Sequence, residues 1–219
     1  MKIFKQTLGI ILAFSLNACA QNTQVADNSA VHKMDSTEIK KRAQLLIDSG
    51  FVFFYKPGRE IVLDTAISYF NKAMAVDGNR FLAYQLKSDA LVKQGKTKLA
   101  IEPYSRWISS HPESIDVILR RGLMFYRLGF KEEADKDFNA VRASIENKKI
   151  QISPSLSPEN IKIVGTNIYS YYLIGEVDLA ASLLDQLEDA FPNEEKFKNA
   201  STNLRNEDRE KVIRDITNF

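Results

Sequence analysis

Between residues 37 and 192 the apolar positions fall at helical spacing, and one local pattern returns at a fixed interval. Ala66, Ala100 and Ala134 recur at a constant interval of 34, and so do Phe70, Tyr104 and Phe138. Each alanine is followed four residues later by its aromatic, and three beyond that by Ala73, Trp107 or Val141. A constant period with a constant local pattern predicts stacked copies of one supersecondary unit, whose helices are called A and B below in chain order. Strand signals are nearly absent over this stretch.

The middle copies are the clearest. Copy two, residues 81–114, carries Tyr84, Ser88, Leu91, Gly95, Ala100, Tyr104 and Pro112. Copy three, from residue 115, carries Ile118, Gly122, Phe125, Leu128, Gly129, Ala134 and Phe138. Ser88 and Gly122 are expected where helices A and B cross so closely that only a small side chain fits. Gly95 and Gly129 are expected in the A–B turn, where a positive φ costs glycine little. Pro112 ends helix B because proline cannot donate the next backbone bond. Pro103 falls inside the expected helix B of copy two and predicts a kink there.

The outer copies are less regular. Copy four has Gly175, Ala180 and Pro192, but Ala180 lies 46 residues after Ala134, so about 12 residues are inserted within 146–161. Ser157 and Pro158 predict an N-cap and a first helical residue. Ile168 stands where a small residue is expected, which predicts a wider crossing. In copy one, helix B spans 64–76 with Ala66, Phe70 and Ala73, and its partner helix spans 37–54 before a loop at Lys56-Pro57-Gly58. Ser36 or Thr37 is the expected cap of that helix; Asp35-Ser36-Thr37 also resembles an O-glycosylation motif. Residues 194–219 are polar, with apolar residues at Phe197, Leu204, Val212, Ile213 and Ile216. That pattern predicts a capping helix with one face on the last repeat.

This order of residue types, returning with that period, resembles the tetratricopeptide repeat, over about residues 37–192. The resemblance implies an all-α, right-handed α-solenoid of about four helix–turn–helix repeats with a C-terminal capping helix, a fold whose usual work is holding another protein. It also implies that helix A lines a concave groove. The groove positions then fall on Leu82, Gln85, Asp89, Val92 and Lys93 in copy two. In copy three they fall on Asp116, Leu119, Leu123, Tyr126 and Arg127, with Arg120 beside them. In copy four they fall on Lys162, Gly165, Tyr169, Tyr172 and Leu173. Tyr126, Arg127, Tyr169 and Tyr172 form the best candidate surface, since tyrosine and arginine dominate binding energy at interfaces. The competing reading is packing between repeats, which is strong for Tyr171 and applies also to Tyr169. Some family members grip a C-terminal carboxylate with Lys and Asn side chains. Asp89 and Asp116 stand at two of those positions here, and an acid repels a carboxylate, so such a ligand is not expected.

The first 36 residues read differently. Lys2 and Lys5 precede an apolar run from Leu8 to Leu16, which is too short to span a membrane and reads as a secretory signal over 1–18. Leu16-Asn17-Ala18-Cys19 resembles the lipobox of bacterial lipoproteins, which implies lipidation of Cys19, the single cysteine of the chain. The alternatives are an ordinary cleaved signal with a chance cysteine, or a retained single-span anchor. Ala20 rather than an aspartate after Cys19 implies the outer membrane by sorting rules of related lipoproteins, with the domain facing the periplasm. Residues 19–36 read as the lipidated cysteine and a flexible tether reaching roughly 20–25 Å. Residues 37–219 are then the helical domain.

Charge and candidate chemistry narrow the function classes. The chain has 30 basic and 28 acidic residues, and removal of Lys2 and Lys5 with the signal leaves 28 of each. Net charge therefore gives no reason to expect a nucleic-acid partner. His32 lies in the tether, and His111 precedes Pro112 at a helix end. Neither has ligand-spaced companions, so no metal is expected. No Gly-rich phosphate loop and no G-x-S-x-G elbow occurs, so no cofactor and no enzymatic activity are expected. Glu132 and Glu133 suit a helix start, where acids complement the dipole. The leading expectation is a lipid-anchored envelope adaptor that holds a protein partner in the groove. The alternative is an obligate subunit or assembly factor of an outer-membrane secretion or barrel-assembly machine, which would expose a large apolar patch.

Overall fold

The structure, a computed structural model, describes residues 35–55, 62–194, 197 and 200–217. Cys19, the signal, most of the tether and the Lys56-Pro57-Gly58 loop lie outside the described residues. Ten helices are described, and no strand occurs among these residues. They are α1 (Ser36–Phe54), α2 (Leu63–Val76), α3 (Phe81–Lys93), α4 (Ile101–Ser110), α5 (Ile115–Arg127), α6 (Lys131–Asn147), α7 (Pro158–Ile174), α8 (Val177–Ala190), α9 (Ala200–Asn206) and α10 (Arg209–Thr217). The first eight form four A–B hairpins, α1/α2 to α7/α8, as the period predicts.

Three of the A–B turns share one hydrogen-bonding scheme. Gly95, Gly129 and Gly175 have φ of 72°, 79° and 99°. In each, the glycine N–H donates to the carbonyl three residues back, and the next N–H donates to the carbonyl five residues back: Val92 and Leu91, Tyr126 and Phe125, Tyr172 and Tyr171. This satisfies carbonyls that a helix end otherwise leaves without partners.

The A–B crossings explain the small residues. A Cβ on Gly122 would lie 2.9 Å from the Asp137 Cβ and 2.9 Å from the Phe138 ring. Ser88 is buried, and its Oγ donates to the Ala100 carbonyl at 2.7 Å, so this position uses a hydroxyl as well as small size. Copy one has an equivalent that the period hides: a Cβ on Gly50 would lie 2.6 Å from the Phe70 ring. Ile168 is buried at the corresponding point of copy four. Beside Gly122, Arg121 donates two bonds to buried Asp137, at 2.9 and 2.7 Å, and a third to Ser105 Oγ at 3.3 Å. That ion pair ties α5 to α6 and to the preceding repeat.

The core falls into two clusters. One is built from copies one and two, around Phe70, Tyr84, Tyr104 and Trp107, together with Val117 and Met124 of α5. The other is built from copies three and four, around Leu123, Phe138, Ile168 and Tyr172, and it includes Ile213 of α10. Ile108 and Phe125 pack against both. His111 caps α4 and stacks on Trp107 with ring centroids 3.8 Å apart.

Three expectations are corrected. Pro103 is not in mid-helix: α4 starts at Ile101, so the proline occupies the first turn, where a missing N–H costs nothing. The irregularity sits just before it, where three-residue turns run from Lys96 to Glu102. The cap of α1 is Asp35, whose carboxylate accepts from Thr37 N at 2.7 Å and Glu38 N at 2.8 Å; Ser36 and Thr37 are already helical. The insert joins the core, since Ile150 and Ile152 pack against the second core cluster. Ser157 does cap α7, accepting from Asn160 N at 3.2 Å. The C-terminal segment is two helices, and only α9 packs on α8 as a cap. The other, α10, turns back onto α5 and α7.

Candidate functional site

The A helices make the face on which the sequence places its candidate residues. α1 touches α3, and α5 touches α7. Asp208 redirects the chain after α9: its carboxylate accepts from Lys211 N at 3.1 Å and starts α10. α10 then lies across α5 and α7.

Arg209 fixes the start of α10. Its guanidinium donates to the Tyr172 carbonyl at 3.0 Å and to the Leu173 carbonyl at 2.5 and 3.2 Å. These are last-turn carbonyls of α7, the end of a helix where a cation is favoured. The same guanidinium sits 5.1 Å from the Tyr126 ring centroid, within cation–π range. Tyr126 Oη donates to Glu210 at 2.9 Å, and Glu210 accepts from Arg209 at 3.2 Å. Further along, Ile213 is 0% exposed. At the far end Ile216 and Thr217 reach a small gap between α3 and α5, lined by Ser88, Asp89, Val92, Tyr104, Arg120 and Met124.

Beside α10 a cavity of about 570 Å³ remains open between α5 and α7. Leu119, Leu123 and Leu173 line its apolar part, Asp116, Arg120 and Lys148 its charged part, and Ile216 one edge. Ile163 and Tyr169, 41% and 43% exposed, stand in its wall.

The candidate residues therefore divide. Tyr126 and Tyr172 come together, but under α10: Tyr172 is 1% exposed and Tyr126 is half-buried. Leu119 and Leu123 are floor, buried rather than presented. Val92 and Leu173 are buried as well. Two of the four expected surface residues, Tyr126 and Tyr172, are thus covered by the chain itself, because α10 bonds to the Tyr126 side chain and to the last-turn carbonyls of α7. Arg127 is half-buried in the last turn of α5. Tyr169 stays exposed and stacks on Tyr172, with ring centroids 6.1 Å apart. Burial, with Glu207 nearby, pushes the phenols of Tyr169 and Tyr172 above their ordinary range. In copy two Gln85 and Asp89 are half-buried, and Lys93 is exposed with its ammonium 4.1 Å over the Phe54 ring. Lys162 and Gly165 are exposed. Tyr171 is buried on the opposite side, where it lines a cavity of about 160 Å³ with Ile150 and Ile152.

Sequence reasoning missed Arg209, Glu210, Ile213 and Ile216 as groove residues. The signal was an arginine with isoleucines four and seven residues later in an otherwise polar segment, which marks one helix face. No group of three or more metal-ligating side chains comes together among the described residues.

The same devices recur along the chain: a positive-φ glycine at the same place in copies two and three, and seven residues before it a crossing too tight for a large side chain. The fold is an all-α array of helix–turn–helix repeats. Among solved structures the chain is similar to a tetratricopeptide repeat protein from Parabacteroides merdae, at 19% identity and TM-score 0.43, covering 81% of this chain and 66% of that one. It is also similar to MamA MSR-1 C2, at 19% identity and TM-score 0.37, covering 81% and 95%. A third is YrrB, described as a TPR protein with an unusual peptide-binding site, at 15% identity and TM-score 0.40, covering 84% of each. The chain thus spans just under two thirds of the first of these structures. No family model matches the sequence, and no curated protein does.

Proposed function

We propose that this protein is a lipid-anchored adaptor of the bacterial envelope, which holds a protein partner on the face formed by its A helices. The supporting observation is the open part of that face: a cavity of about 570 Å³ with an apolar floor and a mixed-charge rim. An apolar centre ringed by polar groups is how protein interfaces are built. The anchor reading rests on Leu16-Asn17-Ala18-Cys19, and no described helix is long and apolar enough to cross a membrane. Lipidation of Cys19 at the outer membrane, with the repeats in the periplasm, would confine the search for a partner to a thin layer and raise its effective concentration.

Two experiments test this. Cys19→Ala should leave the repeats folded and move the protein from membrane to soluble fractions; a variant that still sediments with membranes contradicts the lipid anchor. Crosslinking in cells followed by affinity capture should recover one recurring protein with the wild type and lose it with Ile163→Ala/Tyr169→Ala. Both side chains are partly exposed, so their loss should leave the fold intact. A partner retained by this variant moves the binding surface elsewhere.

One observation favours a second reading, an obligate subunit of a larger envelope machine. Leu45, Phe51, Val52 and Tyr55 are exposed by 46–62% along one face of α1 and its C-cap. An apolar patch of this kind at the end of a repeat array suits a permanent neighbour. Val52→Glu/Tyr55→Ser should then abolish assembly into the larger complex while leaving groove capture intact.

A further inference from the structure

We propose that the face across α5 and α7 is a seat for an amphipathic helix led by an arginine, and that α10 is the chain's own occupant of it. A partner helix with an arginine followed by apolar residues four and seven positions later would displace α10. The proposal rests on the adaptor reading and names the partner's chemistry.

The seat is built for this pattern. The last-turn carbonyls of α7 and the face of Tyr126 receive a guanidinium from two sides. A lysine ammonium lacks the planar fork that bonds two carbonyls at once. Four residues on, the second core cluster takes the Ile213 side chain. Seven residues on, Ile216 packs against the same cluster and borders the gap between α3 and α5. The three contacts fall on one helix face, the mode in which amphipathic helices occupy grooves.

Two features make α10 a displaceable occupant. It is nine residues long, whereas isolated helices below about 12–15 residues are marginal in water, so it holds its shape only while seated. It also underfills its site, because the cavity of about 570 Å³ lies open alongside Ile216. A longer helix with larger apolar side chains would cover Leu119 and Tyr169 as well, and would bury more than α10 does.

The test uses the full chain and a labelled synthetic peptide of residues 208–217. Ile213→Glu places a charge in the core and should release α10. The peptide should then bind this variant at least about tenfold more tightly than the wild type, whose seat is occupied. The same peptide carrying Arg209→Ala should lose binding by about tenfold or more. Equal binding to both proteins, or none to a variant whose helicity is intact, would overturn the proposal. Hydrogen exchange on the wild type decides the matter even if Ile213→Glu does not fold. Amides of α10 should exchange at least about tenfold faster than those of α5, through a local opening. Exchange of α10 only with global unfolding would make it a fixed part of the fold. Peptide binding without a cellular partner would sink the adaptor reading alone, and a partner captured without peptide binding would sink the helix seat alone.

Discussion

Gly122 shows how one missing Cβ sets a helix crossing. The Asp137 Cβ and the Phe138 ring stand where the methyl of an alanine would go, and Asp137 is held in place by Arg121. Gly122→Ala should therefore lower stability by about 1–3 kcal/mol, the usual cost of overpacking. Gly165 is the contrast: helical, exposed and with nothing within 4 Å of an added Cβ. Gly165→Ala should raise stability by about 0.5–1 kcal/mol through helix propensity. Urea unfolding of the two variants measures both signs. Tyr104 supplies a pH dependence. Burial first, and Asp89 second, raise its phenol from 10.0 to about 12. The unfolded chain thus loses this proton before the folded one does. The contribution is fully present below pH 10 and is lost as pH rises from about 10 to 12. Tyr104→Phe should flatten that part of the alkaline stability profile, and an unchanged profile would show that other groups carry it. Ser88 and Gly122 were legible because they stand one full period apart. Gly50 was not, because it precedes Ser88 by more than one period. The longer connection after α1 breaks the spacing, and only the contact with Phe70 reveals the match.

At the scale of elements, the hairpins follow from patterns that act locally: a turn glycine, a small residue at the crossing and an N-cap. Such signals survive in a single sequence because their partners are near in the chain. Ser157 illustrates this: Ser157→Ala removes the bond to Asn160 N and should cost about 1 kcal/mol, read as a lower thermal midpoint. Pro103 was misplaced because the period fixes where helix B packs but not where it begins. The structure starts α4 at Ile101 and spends residues 97–100 on turns, so the proline fits a first turn. The placement of α10 was not legible at all. Its apolar stripe says that one face is covered, but the same stripe serves a cap on α8 or a seat on α5 and α7. The choice is made by Arg209 with Tyr126 and by Glu210 with Tyr126, contacts between elements far apart in the chain.

At the scale of the molecule, two core clusters joined through Ile108 and Phe125 make a chain of locally stabilised repeats, as expected when each unit contacts mainly its neighbours. The C-terminal helix departs from that rule, since it reaches from copy four to copy two. Removing it with a stop after Asn206 should loosen copies three and four more than copy one, which site-resolved hydrogen exchange reads directly. Partner binding is assigned to the A-helix face. A photo-crosslinking residue placed in living cells at Tyr169, at exposed Glu133 on α6 and at Val52 on α1 tests it most directly. One partner protein should crosslink from Tyr169 and none from Glu133. Crosslinks from Glu133 or Val52 with none from Tyr169 would contradict it.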